Sequence, residues 1–239
     1  EGSDTAVEVN NLVLQLGGSK ATGDIKVALQ DGVKADIVLR IKSLDADALM
    51  ASTPAAASAL GSPAGQSGRN APGSNAVAQA PAAIQKFELP ADIEANVGIS
   101  IDEVIAKKGR IRAVRLSASL KDSAVTLNTL EAGLPGGGQF SASGTMSTPQ
   151  GALSYGGKVS FRSSGLRTLL EWLEVDIAAV PADRLRRFNA SADISGNASE
   201  VQVANIASQL DASRMSGGVT IALRDRTAFG ASISIDQFN

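Results

Sequence analysis

The sequence predicts an all-β, mainly antiparallel fold, and three patterns along its 239 residues support this. Apolar and polar residues alternate with a period of two in many separate runs, which is typical of strands with one apolar side. Glycine-rich turn sequences separate these runs, and helical spacing is scarce. We therefore expect a long, twisted and curved sheet that forms an open groove or a taco-like half-barrel, with two or three short helices.

The clearest strand lies at residues 33–41. Here Val33, Ala35, Ile37, Leu39 and Ile41 alternate with Lys34, Asp36, Val38 and Arg40. The same alternation recurs in Ile25, Val27 and Leu29, and in residues 93–101, 140–146, 153–161, 188–194, 219–223 and 229–235. Within 111–120 the alternation slips by one residue, which indicates a β-bulge. About eleven strands spaced about 4.8 Å apart would make a sheet on the order of 50 Å across.

Turn and helix signals fill the intervals between the strands. The turn candidates are Asp31-Gly32, Lys108-Gly109, Gly136-Gly137-Gly138 and Ser195-Gly196-Asn197, and Asp-Gly is a strong signal for a two-residue hairpin. Four leucines, Leu166, Leu169, Leu170 and Leu173, have helical spacing. They predict a short amphipathic helix at about 165–174. A weaker helix is expected at 45–50. Residues 176–187 are expected to form another turn after Pro181, and the basic end of this segment is expected to be exposed to solvent.

The chain divides into two β segments separated by a low-complexity insertion. Residues 51–86 are dominated by Ala, Ser, Gly and Pro, and such a segment cannot bury enough apolar surface to offset its ordering entropy. We interpret it as a flexible loop between a first β repeat at 1–50 and further β repeats at 87–239. Because the sequence begins with Glu1, we also expect it to be a piece of a longer protein.

The composition argues against several classes of function. The chain contains neither His nor Cys, which excludes imidazole relays, thiolate chemistry and disulfides. A net charge of −2 and an aromatic content of 3% argue against a nucleic-acid partner. An enzyme of another kind, such as a carboxylate-based hydrolase, has no motif to support it. We therefore expect a non-enzymatic protein without a cofactor or metal.

An internal repeat is the most specific feature of the sequence. Residues 15–31 (QLGGSKATGDIKVALQD) match residues 209–225 (QLDASRMSGGVTIALRD) at a constant offset of 194. A looser third copy lies at 130–146 and shares the order of strand, glycine turn, Ser-Gly and strand. Repeated units of this kind stack side by side, and each continues the apolar face of its neighbour. One elongated sheet is the expected result.

Residues 89–146 (LPADIEANVGISIDEVIAKKGRIRAVRLSASLKDSAVTLNTLEAGLPGGGQFSASGTM) resemble the repeat region of the AsmA family. They are similar to its run of strand, connecting strand and glycine hairpin, and the helix with Leu169, Leu170 and Trp172 follows where the family places one. The resemblance covers most of the chain except 51–86. It implies a periplasmic β-groove related to bridge-like lipid transfer proteins, within an inner-membrane-anchored protein that acts in phospholipid transport and outer-membrane homeostasis. The family's membrane helix is not in this chain.

The expected ligand is a phospholipid or another acyl-chain lipid on the aliphatic strand faces. The candidate lipid-binding residues are Ile25, Val27, Leu29, Ile37, Leu39, Val97, Ile99, Phe140, Val159, Phe161, Val219, Ile221 and Ile233. Alternating apolar positions more commonly form a closed core, and this interpretation stays open. So does a structural or assembly module that pairs its strand edges with an envelope protein in outer-membrane protein biogenesis. Membrane association would come from segments outside this chain.

Other motifs have simpler interpretations. Gly136-Gly137-Gly138 joins two strands and lacks the Lys-Ser/Thr of a phosphate-binding loop, so we expect a hairpin turn. Asp45 with Asp47, and Asp102 with Glu103, lack the glycine and distal Glu of a calcium loop. We interpret them as strand-end or helix-capping acids. Trp172 either lies at a membrane interface or packs against the sheet, and we favour packing.

Overall fold

The computed structural model describes residues 6–16, 18–29, 32–52, 92–223 and 227–237. It contains a single twelve-stranded sheet that is not closed into a barrel, in which strands adjacent in sequence are adjacent in space. The strands are β1 (Ala6–Leu16), β2 (Ser19–Ala28), β3 (Val33–Asp45), β4 (Ile93–Ala106), β5 (Gly109–Lys121), β6 (Ala124–Leu134), β7 (Gly138–Ser147), β8 (Ser154–Ser163), β9 (Phe188–Asn197), β10 (Glu200–Leu210), β11 (Ser213–Ala222) and β12 (Ala228–Gln237). The predicted fold class is confirmed.

Every neighbouring pair of strands is antiparallel except β3 and β4, which run parallel from Val33 opposite Ile93 to Asp45 opposite Ile105. This pair joins the two predicted β segments into one sheet. The loop expected at 51–86 lies outside the described residues beyond position 52. Asp31, half of the strongest turn signal, also lies outside them.

Both predicted helices are present in the described chain, and each is short. Helix α1 (Ala46–Ser52) follows β3 directly, and the Asp45 carboxylate caps it by accepting a hydrogen bond of 2.8 Å from the Ala48 N–H. Helix α2 (Leu166–Trp172) follows β8. The Trp172 indole N–H donates to the Ala106 carbonyl oxygen at 2.9 Å, so this side chain anchors α2 to the β4–β5 turn, as the packing interpretation predicts.

Two turn predictions are confirmed and one is wrong. Gly136 and Gly137 lie in the β6–β7 hairpin with positive φ angles of 73° and 65°, and the β4–β5 turn lies at 107–108. Residues 195–197, in contrast, belong to β9, and the bend follows at 198–199. Gly196 has a packing role there, because a Cβ atom would collide with the Glu200 carbonyl and with the Tyr155 ring.

The segment after α2 contains turns, as expected, and its basic end is exposed. The N–H groups of Arg186 and Arg187 donate to the Asp211 carboxylate at 3.0 and 2.9 Å. Burial raises the pKa of Asp211, but backbone hydrogen bonds from Arg187, Arg186 and Leu185 outweigh it, so the pKa lies below its usual range. The carboxylate thus ties this segment to the β10–β11 turn.

The internal repeat is also a structural repeat. In the first copy Ala6 lies opposite Ala28, and in the second Glu200 lies opposite Ala222, which preserves the offset of 194 at both positions. The third strands agree as well, because Ala21 opposite Ile41 corresponds to Met215 opposite Ile235. Strands β1–β3 and β10–β12 are therefore two copies of one three-stranded unit in the same register.

Bulges interrupt the ladder at matching points of the two copies. The register shifts between Val9 and Leu12 in β1 and between Val203 and Ile206 in β10. Asn11 and Asn205 occupy these shifts with φ angles of 56° and 51°, a left-handed conformation that Asn tolerates better than most residues. The bulge predicted within 111–120 is confirmed at Ala113, whose φ is 51°.

Few side chains are fully buried in the described part of the chain. The buried apolar residues are Ala21, Ile41, Leu166, Leu169 and Ile177. Three of these lie in or just after α2, at the end of the sheet where Gly165 N–H donates to the Gly136 carbonyl at 2.8 Å. Elsewhere the described residues form one layer, so the apolar side of the sheet has no second sheet packed on it.

Candidate functional site: the apolar face of the sheet

The strand register places the predicted lipid-binding residues on one side of the sheet, which we call the apolar face. Directly opposite residues share a face, and Ile25 lies opposite Ile37, which lies opposite Val97. The next strands continue the row through Ala118 and Leu127. An unbroken aliphatic row thus crosses β2 to β6, and sequence alternation predicts its members in each of these strands except β6.

The second half of the sheet continues the same face. Phe140 lies opposite Phe161, and the Phe161 ring lies 5.9 Å from the Phe188 ring, centroid to centroid. At the far edge Gly217 lies opposite Ile233. By register and alternation the remaining candidates, Val27, Leu39, Ile99, Val159, Val219 and Ile221, also lie on this face. Only Leu29 lies beyond its strand, because β2 ends at Ala28.

Several members of the apolar face were not predicted from the sequence. They include Val9, Leu12, Leu14, Leu127, Leu130, Val203 and Ile206. Many of them flank bulges, where successive face residues are three positions apart instead of two, as in Val9 and Leu12. The signal that reveals them is an Asn between two aliphatic residues at this spacing, as at Asn11 and Asn205.

The apolar face is larger than the apolar patches found on the surfaces of typical soluble monomers. Twelve strands at about 4.8 Å spacing and about ten residues at 3.3 Å each give an area of about 1,700 Å². The largest apolar patch on a typical soluble monomer measures about 300–600 Å². On the inner strands, neighbouring side chains partly cover the small residues of the apolar face. Ala142 and Ala190 are half-buried, whereas Ser143 and Ser191 on the opposite side of the sheet are exposed.

The opposite side, the polar face, carries most of the ion pairs of the described chain. The pairs on it are Lys26–Glu8 at 2.8 Å, Lys34–Glu94 at 3.8 Å, Arg40–Asp24 at 3.6 Å, Arg115–Glu131 at 3.9 Å and Lys121–Glu94 at 3.4 Å. A hydrogen bond from Lys26 to Glu8 and the attraction between their charges raise the pKa of Lys26. These exposed pairs add little stability, but they keep this face hydrated.

Hollows of different sizes lie on the two faces. On the apolar face a shallow hollow of about 270 Å³ has Gly144 and Gly157 in its floor and Leu127 and Ile194 at its sides. The larger hollow, about 1000 Å³, lies mainly on the polar face and is lined by Arg115, Arg162, Arg214 and their neighbours. The smaller hollow lies just below the usual size range of ligand pockets, about 300–1,000 Å³. Binding on the apolar face therefore has to use its extended surface.

Charged residues lie at the helical end of β4 and β5. Glu103 and Arg110 form an ion pair of 3.1 Å. Arg112 lies opposite Gly133, and Gly133 lies opposite Gln139 on the polar face. The bulge at Ala113 therefore turns Arg112 away from the apolar face.

The acidic pairs have structural roles. Asp45 caps α1, and Asp47 accepts a hydrogen bond of 3.1 Å from the Lys107 N–H. Asp102 is exposed, and its neighbour Glu103 pairs with Arg110. Among the described residues no group of three or more acidic side chains is placed to hold a metal ion.

Within the described ranges, neither helix has the length and hydropathy that a bilayer crossing requires. Comparison of the chain with protein-family models, with curated proteins and with solved structures found no match.

Proposed function

We propose that this chain is a non-catalytic lipid-handling module that holds acyl chains of phospholipid against the apolar face. The observation that carries the proposal is an aliphatic surface that crosses all twelve strands while the described chain provides no second layer to cover it. A closed core, the simpler meaning of alternating apolar residues, requires such a layer.

An acyl chain is suited to this surface because neither partner needs a specific motif. Each methylene removed from water contributes about 0.8 kcal/mol. Eight methylenes would contribute about 6 kcal/mol before the cost of ordering the chain.

The cellular setting of the proposal comes from the resemblance of residues 89–146 to the AsmA family. On this basis the chain acts in the periplasm as part of an inner-membrane-anchored protein, in phospholipid transport and outer-membrane homeostasis. The long, continuous face is compatible with movement of a lipid along the sheet, since it presents similar aliphatic side chains from β1 to β12.

The test is lipid occupancy, measured by native mass spectrometry after purification and after incubation with phosphatidylglycerol and phosphatidylethanolamine vesicles. Val97→Asp places a charge in the middle of the apolar face. If the carboxylate displaces two methylenes, binding weakens by about 1.6 kcal/mol, or roughly tenfold. Ser100→Asp is the matched control, because Ser100 lies on the same strand but on the polar face, between Arg40 and Arg115.

Both variants are first compared with the parent protein by circular dichroism to confirm that they fold. We expect bound phospholipid in the parent protein and in Ser100→Asp, and a loss in Val97→Asp. Lipid-free spectra from the parent protein in every preparation, or equal occupancy in the two variants, would refute the proposal.

A further inference from the structure

The two halves of the polar face differ in how their charges are balanced. All five ion pairs that the described residues form on this face lie on strands β1 to β6. Strands β8 and β11 carry Arg162 and Arg214 on the same face, and neither forms an ion pair with a described residue. The second half of the polar face therefore holds positive charge that the described chain does not neutralise.

These two arginines line the larger hollow, which we call the polar hollow. Its volume of about 1000 Å³ is at the upper end of the usual range for ligand pockets, about 300–1,000 Å³. Its floor is the backbone of β7 to β9, because the side chains of Phe140, Phe161 and Ala190 belong to the apolar face. A second hollow of about 530 Å³ continues it toward Lys158 and Asp193. The polar face is therefore concave over several strands.

Arg162 lies at the centre of the polar hollow in a defined orientation. Its register neighbours are Gln139 on β7 and Asn189 on β9, and its Nε–H donates to the Gln139 side-chain oxygen at 2.6 Å. The N–H groups of its two terminal nitrogens make no hydrogen bond to the described residues. Their planar fork matches the oxygens of a carboxylate or phosphate. The carboxylates that line the hollow, Glu131 and Asp236, lie on β6 and β12, so neither is adjacent to Arg162.

A row of hydroxyl groups lies beside Arg162, in the next row of the polar face. Its members on adjacent strands are Ser141, Ser160 and Ser191. The Ser141 and Ser160 hydroxyls form a hydrogen bond of 2.7 Å. Two residues along a strand span about 6.6 Å, so a ligand of the size of a sugar ring reaches from the guanidinium to this serine row.

We propose that the polar hollow binds an anionic sugar, whose phosphate or carboxylate group pairs with Arg162 while its hydroxyl groups bond to the serine row. The serine hydroxyls and the Asn189 amide both donate and accept hydrogen bonds, as sugar hydroxyls do. A peptide is less suited, because strands β7 to β10 are paired on both sides and the floor offers it no open strand edge. This inference does not depend on lipid binding, since the polar hollow lies on the other side of the sheet from the apolar face.

The probes are glucose-6-phosphate, glucuronate, inorganic phosphate and glucose. Each is titrated into the full chain, and binding is followed by NMR of the arginine Nε–H and backbone amide signals. Glucose-6-phosphate and glucuronate carry the two candidate oxyanions, so their relative affinities identify the one that the hollow prefers. We expect the preferred sugar to bind about tenfold more tightly than inorganic phosphate, because hydrogen bonds from its hydroxyls add to the ion pair. Glucose lacks the charge and should bind at least about tenfold more weakly than the preferred sugar.

Arg162→Gln should weaken binding of the preferred sugar by about tenfold or more, because the ion pair and its charge-assisted hydrogen bonds are lost. Arg40→Gln is the matched control, since Arg40 lies on the polar face outside the hollow and pairs with Asp24 at 3.6 Å. It makes the same change in net charge five strands away, about 24 Å along the sheet. Salt screens exposed charges at this distance, so the dissociation constant should stay almost unchanged.

Two further variants separate the two halves of the ligand. Gln139→Met keeps the length of the side chain but removes the acceptor for the Arg162 Nε–H, and it should weaken binding of both inorganic phosphate and the preferred sugar by about threefold. Ser160→Ala removes one hydroxyl of the serine row. It should weaken binding of the sugar by about threefold and leave inorganic phosphate unaffected. Circular dichroism establishes that each variant folds.

Four results would overturn the inference. They are no binding of any probe, equal affinity for inorganic phosphate and both anionic sugars, binding of glucose as tight as that of the anionic sugars, and equal losses in Arg162→Gln and Arg40→Gln.

Discussion

Two adjacent glycines in β8 provide a sharp test of the sheet geometry, because they point to opposite faces. Gly157 lies on the apolar face opposite Gly144. A Cβ atom on Gly157 would collide with the Ser143 carbonyl oxygen and lie 2.9 Å from the Gly144 Cα atom. A Cβ atom on Gly156 would have its nearest neighbour, the Ile194 carbonyl oxygen, at 3.9 Å. Only Gly157 is therefore required by close packing of the backbone.

The substitutions Gly157→Ala and Gly156→Ala should change stability in opposite directions. A backbone shift to relieve the collision at Gly157 costs about 1–3 kcal/mol, typical of overpacking. At Gly156, alanine fits and lowers the entropy of the unfolded chain, which stabilises by about 0.4–1 kcal/mol. At about 2–4 °C per kcal/mol for a chain of this size, the two melting temperatures should differ by several degrees.

Urea unfolding followed by circular dichroism measures the free energy of unfolding of each variant, and thermal melts provide the second measurement. Gly144→Ala should behave like Gly157→Ala, since the two positions share one contact, and their effects should not be additive. Equal stability of Gly157→Ala and Gly156→Ala would show that β7 and β8 do not approach as closely as the structure has them.

Two further substitutions test the segments that hold the helical end of the sheet. The pKa of Asp211 is lowered, so its contribution to stability is present above about pH 4 and is lost as the pH falls through the folded pKa. Asp211→Asn should therefore unfold at a lower urea concentration than the parent protein at pH 6. Between pH 4 and 2.5 its free energy of unfolding should fall less than that of the parent protein. Parallel curves of the free energy of unfolding against pH would contradict this. Trp172→Phe leaves the Ala106 carbonyl without its indole donor and should lower the free energy of unfolding by about 1 kcal/mol. Leu173→Ala is its control, because Leu173 is 45% exposed, and equal losses in the two variants would contradict the assigned role of the indole hydrogen bond.

Side-chain alternation predicted the strands and the face because both depend on a period of two. Ile37 and Val97 are sixty residues apart, yet each was assigned to an aliphatic row from its own neighbours, and the structure places them directly opposite one another. The alternation does not specify which strands pair with one another. The parallel junction of β3 with β4 is a contact between distant segments, and no local pattern specifies its direction.

Strands β1 and β10 were harder to predict because their alternation is interrupted. Asn11 and Asn205 shift the aliphatic phase by one residue, so a strict period of two ends at Val9 and at Val203. The physical cause is the left-handed conformation at these Asn residues, which turns the next side chain back to the apolar face. The repeat supplies the missing information, since both Asn residues lie at the same position of the two copies.

The large hollow on the polar face was not predicted from the sequence. The pattern of polar and apolar residues indicates on which side of the sheet a residue lies, but not whether that side is flat or concave. Polarity assigns Arg115, Arg162 and Arg214 to the hydrated side of the sheet. Whether that side is flat or hollow depends on the twist that bulges and close glycine contacts add over many strands. These small rotations accumulate across the sheet, and no single run of residues encodes their sum.

The helices cannot provide the missing cover for the apolar face. Each has seven residues and is about 10 Å long at 1.5 Å per residue, whereas the sheet is about 50 Å across. Both also lie at one end of the strands, where Trp172 and Asp47 contact the β4–β5 hairpin. The described residues provide no second layer for the rest of this face. Val97→Asp therefore tests whether the middle of the apolar face holds lipid, as we propose.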